Sequence, residues 1–337
     1  MSQLQLSTGS NEVKCFERES MYHAVNDLRL RLIEAQGSKE LSDQMKKLLL
    51  TPMKVLDISA CRKKVSIVVP FYRQLDTVSE TLSSIALQTY RNIEVVLVND
   101  GDTEDVLEVF KYFAADNQDI ECRYYYKTNT GLAETRNFGI RHASGDYVLP
   151  LDSDDMIASV FLEKTVPILE QHTKLGFVYT EVLFWGIKNQ IWGRQDFDPL
   201  LLLQRNQMTC TTLFCKEMWD VVGGYNTNMK HGYEDWDFWI DAIEKGYRGT
   251  NIHLPLFIYR RKADSMLELR HQYDQMAKQQ IIENHPTLYE PITDTGKVLL
   301  GMKIGSIPIE LIKKQQWSQK TARCASTMGQ ANSKAQQ

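Results

Sequence analysis

The stretch Val65-Ser-Ile-Val-Val69 is the first of four short runs of β-branched and aromatic residues that alternate with helix-like segments. The other three runs are Ile93-Glu-Val-Val-Leu-Val98, Arg123-Tyr-Tyr-Tyr126 and Tyr147-Val-Leu149. Helical periodicity is present between them, over Thr77 to Leu87, Glu104 to Ala115 and Glu134 to His142. This alternation predicts an α/β fold, with a mostly parallel sheet, right-handed crossovers and helices on both faces.

Polar residues follow three of the predicted strands, where α/β folds bind their ligands. These strand ends are Pro70-Phe-Tyr-Arg73, Asn99-Asp-Gly-Asp102 and Asp152-Ser-Asp-Asp155. The three carboxylates of the last stretch repel one another unless a cation or hydrogen-bond donors offset their charge. From these residues alone, two interpretations stay open: a divalent cation that carries a phosphorylated ligand, or the cap of a helix over residues 156–172.

The Gly-rich signatures of two large nucleotide-binding classes are missing from the sequence. It contains neither GxGxxG nor GxxxxGK[ST]. The sequence therefore gives no specific reason to expect a dinucleotide-binding fold or a P-loop nucleotidase.

The segments that flank this region have a different character. Met21, Val25, Leu28, Leu32 and Ala35 share one helical face, and a second amphipathic stretch follows over residues 41–50. We therefore predict four parts: an N-terminal helical segment (1–60), the α/β domain (61–266), a C-terminal helical extension (267–317) and a disordered tail (318–337). The N-terminal helices would either pack on the main domain or serve a partner, a second copy of the chain or a membrane surface.

Composition limits the class of protein and its surroundings. With 337 residues and 43% hydrophobic residues, the chain can form one substantial core, and its net charge of -4 gives no broad reason to bind nucleic acid. No apolar run approaches the about 18 residues that cross a bilayer, and the N-terminus lacks a secretory signal. The six scattered cysteines are typical of reduced thiols. We expect a cytoplasmic protein, or one peripheral at the inner membrane face if its acceptor is lipid-linked.

Seven motifs occur in an order that resembles glycosyltransferase family 2, the inverting enzymes that use nucleotide sugars and have the Rossmann-like GT-A fold. The motifs are Val65-Ser-Ile-Val-Val-Pro-Phe-Tyr72, Val98-Asn-Asp-Gly101, Asn129-Thr-Gly-Leu-Ala-Glu-Thr-Arg-Asn137, Gly145-Asp-Tyr147, Leu151-Asp-Ser-Asp-Asp155, Gly223-Gly-Tyr225 and Gly232-Tyr-Glu-Asp-Trp-Asp237. The resemblance implies transfer of a hexosyl or N-acetylhexosaminyl group from a UDP-sugar to a glycan or glycolipid acceptor, as in polysaccharide biosynthesis.

The resemblance also implies how the chain binds the donor. Asp100 would hydrogen-bond uracil, whereas Pro70 and Tyr72 would wall the nucleotide pocket. Arg136 would lie near the nucleotide, where a permanent charge suits uracil or phosphate oxygens. On the residues alone, Asp100 is equally compatible with a turn in Asn-Asp-Gly, and Arg136 with a structural ion pair.

In the acidic motif, the resemblance assigns Asp152 to the ribose or sugar. It assigns Asp154, with help from Asp155, to a Mn or Mg ion on the diphosphate. Such an ion would neutralise the charge that builds up on the leaving nucleoside diphosphate.

Inverting displacement needs a carboxylate base on the face opposite the leaving group. The resemblance makes Asp235 that base, with Glu234 beside it. An aromatic ring near Asp235 can face a sugar, so Trp236 and Tyr225 are our candidate contacts to the acceptor sugar. The alternatives are that the two acids favour a helix N-terminus by its dipole and that Trp236 belongs to the core.

The chain departs from the family near Tyr259-Arg-Arg-Lys-Ala-Asp-Ser-Met266, where many members carry a histidine that completes the metal shell. Here the stretch offers Arg260, Arg261 and Lys262 instead. A basic side chain, of which Arg261 is our candidate, would bind the diphosphate directly and reduce dependence on metal.

Two other functions compete with glycosyl transfer. One is a catalytically silent nucleotide-sugar-binding or scaffold module. Against it stands Asp235, because binding alone needs no base. The other is a sugar nucleotidyltransferase, whose Gly-rich, basic signature is missing from the first strand end.

Overall fold

The computed structural model of the protein describes residues 3–5, 61–187, 189–262 and 273–289. Within these ranges, Gln3–Gln5 forms a short strand, β1. The predicted N-terminal helices, the disordered tail and the domain limits near 266 and 317 lie outside the described residues. Among the helices of the described ranges, none is long and apolar enough to cross a membrane.

Four parallel strands form one half of a ten-stranded sheet. They are β2 (Val65–Phe71), β3 (Ile93–Asp100), β4 (Glu121–Lys127) and β5 (Tyr147–Pro150). β2 lies between β3 and β5 and pairs in parallel with both. The sequence-based prediction of an α/β fold with a mostly parallel sheet is confirmed.

The other half of the sheet combines two long strands with three strands of only two or three residues. Its members are β6 (Met156–Ile157), β7 (Leu175–Gly186), β8 (Gln190–Trp192), β9 (Leu213–Cys215) and β10 (Arg248–Arg261). The strand order is β1-β4-β3-β2-β5-β9-β7-β10-β6, and β8 pairs with β7. β9 is antiparallel to both β5 and β7, so this three-residue strand joins the two halves.

Nine helices are present in the described ranges: α1 (Leu75–Ala86), α2 (Val106–Asp116), α3 (Leu132–His142), α4 (Phe161–Gln171), α5 (Pro199–Leu202), α6 (Lys216–Val222), α7 (Glu234–Glu244), α8 (Asp274–Asn284) and α9 (Pro286–Tyr289). The first three agree closely with the predicted helical segments. The segment over residues 156–172 differs, because its first two residues are strand β6 and the helix begins only at Phe161.

The strands are buried on both faces, as their nearly continuous apolar sequences require. Side chains alternate between two cores: Ile67 and Val69 belong to one, whereas Val68 and Val98 belong to the other. The second core contains Trp236 and residues of α3 and α7. Both helices that carry predicted site residues therefore pack on the same side of the sheet.

Gly139 lets α3 lie unusually close to the sheet. A Cβ atom at this position would be 2.4 Å from Cγ1 of Val68 and 3.2 Å from Cγ2 of Val98. The close approach fixes the height of α3 above β2 and β3. Arg136, one turn earlier in the same helix, is thereby held near the carboxyl ends of these strands.

We expect Gly139→Ala to destabilise the protein by about 1–3 kcal/mol, because the added methyl group overpacks the α3–sheet contact. Urea denaturation followed by circular dichroism measures this change. Ser79→Ala, at an exposed position of α1, is the matched control and should change stability by less than about 0.5 kcal/mol. Equal effects of the two substitutions would contradict the close-packing argument.

Candidate functional site

The predicted polar strand ends come together at one edge of the sheet. Asp100 is the last residue of β3, Tyr72 directly follows β2, and Asp152 lies two residues beyond β5. Because β2, β3 and β5 are parallel neighbours, their carboxyl ends lie side by side. Tyr72 is 40% exposed there, which leaves its ring accessible to a ligand. Pro70, in contrast, is a buried residue of β2.

Asp100 organises the loop that leads into α3. Its two carboxylate oxygens accept hydrogen bonds from the amides of Thr130 (2.9 Å) and Gly131 (3.1 Å). It also forms an ion pair with the ammonium group of Lys127, a residue that the sequence did not single out. Asp100 therefore has a clear structural role at the strand end, beyond the simple turn that Asn-Asp-Gly alone indicated.

Arg136 is buried and forms ion pairs with acids of two predicted motifs. Its Nη2 donates to both carboxylate oxygens of Asp152, at 2.7 and 3.0 Å, and its Nη1 donates to Oε1 of Glu234 at 2.5 Å. Burial disfavours its charged form, but Asp152 and Glu234 outweigh this effect and raise the pKa of Arg136 well above its usual value. The guanidinium group, only 1% exposed, thus stays charged and joins two acids 82 residues apart in sequence (234 minus 152).

The acidic run Asp152–Asp155 is not a helix cap, since a strand separates it from α4. Oδ2 of Asp154 lies 3.0 Å from the ammonium nitrogen of Lys262. Oδ1 of the buried Asp155 accepts the backbone amide of Arg260 at 2.8 Å. Burial, and secondly the neighbouring aspartates, raise the pKa of both Asp154 and Asp155. The aspartates therefore lie close enough to repel one another, as the sequence implied, and basic side chains partly offset this repulsion.

The arrangement of these acids does not fit the expected Mn or Mg site. Asp152 directs both oxygens at Arg136, Asp154 is paired with Lys262, and one oxygen of Asp155 is held by a backbone amide. Across the part of the chain that the structure describes, three potential ligand atoms converge within 4.8 Å only at Asp237, Asp241 and His285. That group does not include the acidic run.

Of the three basic residues near the end of β10, Lys262 is the one that forms an ion pair with the carboxylate of Asp154. Arg260 donates from Nε to the carbonyl oxygen of Asp154 at 2.8 Å and forms an ion pair with Glu80. The guanidinium group of Arg261, our predicted donor contact, lies 5.3 Å from the ring of Phe184. The period-two alternation of a strand could have indicated this, because it places Arg260 and Lys262 on one side and Arg261 on the other.

The predicted base motif forms the first turn of α7. Glu234 is committed to Arg136, whereas Asp235 is half-buried and accepts a hydrogen bond from Nδ2 of Asn206 at 3.0 Å. Glu234 is thus held by the permanent cation of Arg136, whereas Asp235 interacts electrostatically with the buried Arg194 and accepts the backbone amide of Trp236 at 2.8 Å. Both acids also lie where the helix dipole favours negative charge.

Trp236 and Tyr225, the predicted acceptor contacts, are each 2% exposed. The indole Nε1 of Trp236 donates to the carbonyl oxygen of Leu202 at 2.6 Å, and the ring of Tyr225 lies 4.6 Å from that of Phe238. Both side chains belong to the core, so their placement speaks against a sugar contact. This agrees with the alternative interpretation of Trp236.

His285, which the sequence did not single out, also forms ion pairs with several acids. Its Nε2 is 3.1 Å from Oδ1 of Asp237, and its Nδ1 is 3.5 Å from Oε2 of Glu244 and 3.7 Å from Oδ1 of Asp241. Burial opposes the charged form of His285, but these acids raise its pKa to about 9. No local pattern marks a histidine 48 residues beyond its partner. The contact fastens the segment between α8 and α9 to α7.

Known proteins resemble this chain in sequence and in fold. The sequence model described as Glycosyl transferase family 2 matches residues 66–236. EpsE of Bacillus subtilis (strain 168), named as a glycosyltransferase, is 30% identical over 207 residues, which are 60% of this chain and 74% of EpsE. Three further relatives, glycosyltransferases of Rickettsia bellii, Rickettsia felis and Rickettsia conorii, are longer proteins, of which the match spans about a fifth.

Two solved structures show the same fold. S. aureus TarS 1-349 in complex with UDP-GlcNAc has a TM-score of 0.55 at 16% identity, over 70% of each chain. The mannosyltransferase PcManGT from Pyrobaculum calidifontis, in complex with GDP-Man and Mn2+, has a TM-score of 0.56 at 17% identity, over 95% of this chain and 92% of PcManGT.

We expect Arg136→Met to destabilise the protein by about 3–5 kcal/mol, because it leaves Asp152 and Glu234 without their buried counter-charge. Urea denaturation measures the loss. Arg141→Met is the control on the same helix: Arg141 is exposed and pairs with Glu134, so its loss should cost at most about 1 kcal/mol. A small effect at both positions would show that Arg136 does not hold the site together.

The stability conferred by His285 should depend on pH. Because folding raises the pKa of His285 to about 9, its contribution is complete below about pH 6.5 and disappears as the pH rises towards and beyond 9. The loss amounts to about 3 kcal/mol. Urea denaturation at pH 6.5 and 9.5 should show this decline in the wild type and a weaker one in His285→Gln. Parallel declines in the two proteins would contradict the assignment.

Proposed function

Because the chain belongs to glycosyltransferase family 2, we propose that it transfers a sugar from a UDP-sugar to a hydroxyl group of a glycan or glycolipid, with inversion at the anomeric carbon and Asp235 as the base. The enzyme class follows from the family. The donor, the acceptor, the stereochemical course and the residue roles are our proposals.

One observation carries the proposal: the guanidinium group of Arg136 binds Asp152 and Glu234 at the same time. Asp152 belongs to the predicted donor motif, and Glu234 directly precedes the predicted base. The bridge therefore holds Asp235 beside the strand ends at which α/β enzymes bind nucleotides. Such fixed proximity is what a displacement between two bound substrates requires.

In the proposed reaction, Asp235 accepts the proton of the acceptor hydroxyl group while the oxygen of that hydroxyl group attacks the anomeric carbon. The bond from that carbon to the diphosphate oxygen breaks, and the nucleoside diphosphate leaves with the bonding electrons. The leaving group gains negative charge, so positive groups at the strand ends must stabilise it. We derive no step through a metal ion, because the acidic run does not fit one.

The assignment of uridine rests on the strand ends of β2 and β3. Tyr72 offers an accessible ring for stacking on a base, and Asp100 is fixed at the neighbouring strand end. TarS was solved with UDP-GlcNAc and PcManGT with GDP-Man, so the fold accommodates either nucleotide. Asp152 is the proposed contact to the ribose or sugar. The family match gives no support to the nucleotidyltransferase alternative.

We expect Asp235→Asn to lower transfer by about 10²–10⁴-fold, because the amide cannot accept the proton, while donor binding is retained. A thermal-shift screen of nucleotide sugars first identifies the donor. Release of the nucleoside diphosphate in the presence of candidate acceptors then measures transfer, and calorimetry measures donor affinity.

Asp220→Asn, at an exposed position of α6, is the matched control and should leave both measurements unchanged. Transfer by Asp235→Asn at the wild-type rate would remove Asp235 as the base. A loss of donor affinity equal to the loss of rate would assign it to binding instead.

A further inference from the structure

The ammonium group of Lys262 lies at the acidic run. Its nitrogen is 3.0 Å from Oδ2 of Asp154 and 2.5 Å from Oε1 of Gln74. Gln74 ends the loop that begins with Tyr72 after β2, and Asp154 belongs to the loop after β5. Lys262 therefore spans the two strand ends between which we place the donor.

This lysine is accessible, unlike the other cations around the acidic run. Its side chain is 29% exposed, whereas that of Arg136 is 1% exposed and that of Arg260 is 13% exposed. Arg136 is already bound by two acids, and Arg260 by Glu80 and the carbonyl oxygen of Asp154. Among these three cations, Lys262 is the one that an incoming anion can reach.

We infer that Lys262 binds the diphosphate of the donor and takes the place of a divalent ion at Asp154, so that nucleotide binding does not require metal. This inference rests on the proposed function, because it presupposes a nucleoside diphosphate at the strand ends.

The chemistry of the ammonium group suits this role. It carries three N–H donors, of which Asp154 and Gln74 engage two. Among the residues that the structure describes, no acceptor engages the third, which can therefore bind a phosphate oxygen. Since both partners already hold the long side chain in place, binding the diphosphate costs little additional side-chain entropy. The ammonium group of a lysine binds phosphate as a point charge.

The same ion pair weakens the case for a metal at Asp154. A divalent ion would have to displace the ammonium group from Oδ2 of Asp154 or share the carboxylate with it, and like charges at such a distance repel strongly. Asp152 offers little help, because the guanidinium group of Arg136, which binds both of its oxygens, would also repel a divalent ion. The acidic run is thus better matched to a resident ammonium group than to a metal ion.

Calorimetric titration of the full chain with UDP, with GDP in parallel, tests the inference in EDTA and in MnCl2. We expect the wild type to bind UDP in EDTA. Lys262→Met should weaken this binding about 10–100-fold, as expected for the loss of a hydrogen bond to a charged group. Lys111→Met removes an exposed, ion-paired lysine of α2 and should bind UDP like the wild type.

Lys262→His provides a gain-of-function arm that does not depend on a loss of affinity alone. Imidazole is a good metal ligand. The substitution also removes the ammonium group that is paired with Asp154, so the carboxylate becomes available to a metal ion. This variant should bind UDP weakly in EDTA and at least about tenfold more tightly in MnCl2. Electron paramagnetic resonance of Mn2+ should show tighter ion binding to this variant than to the wild type, without nucleotide.

The outcomes separate the inference from the proposed function. UDP binding by the wild type only in MnCl2, or equal affinities of Lys262→Met and the wild type in EDTA, would overturn the role of Lys262 and leave the proposed function intact. Failure of the wild type to bind UDP or GDP under either condition would overturn both. The comparison of EDTA with MnCl2 uses the wild type, so it holds even if a variant fails to fold.

Discussion

The ion pairs of Arg136 are the constraint on which the site depends. A guanidinium group that is 1% exposed must be neutralised by acids in the fold, because an unpaired buried charge is costly. The two acids that meet this requirement come from the loop after β5 and from the start of α7. The same contact that satisfies a buried charge thereby sets the distance between the proposed donor and base motifs.

A second set of ion pairs fixes the rest of α7. Arg136 holds Glu234 at the start of the helix, and His285 binds Asp237 and Glu244 further along it. Tyr233, which precedes the helix with a φ of 65°, donates from its hydroxyl group to Asp274 of α8. The position of Asp235 is therefore determined from the sheet on one side and from the C-terminal helices on the other.

The sequence predicted what is local and periodic. Strands β2 to β5 and the acidic strand ends follow from runs and alternation, whereas β6 and β9 are too short, at two and three residues, to show either. The decisive contacts were not predictable in this way, because Arg136 meets Glu234 across 98 residues and Lys262 meets Asp154 across 108 (262 minus 154). The sequence also suggested Trp236 and Tyr225 as sugar contacts, and their burial, which speaks against that role, depends on packing that no sequence pattern shows.

Asp100 occupies the backbone amides of the loop before α3, and this limits how the fold can bind a phosphate group. In many nucleotide-binding folds, backbone amides at a helix start receive the phosphate, and a mutation cannot alter them. Here the amides of Thr130 and Gly131 already bind Asp100. Charge for a phosphate at the proposed site would then come from side chains, which a mutation can exchange. If the donor binds at these strand ends as proposed, exchange of a metal ligand for a lysine would change one side chain and leave the backbone as it is.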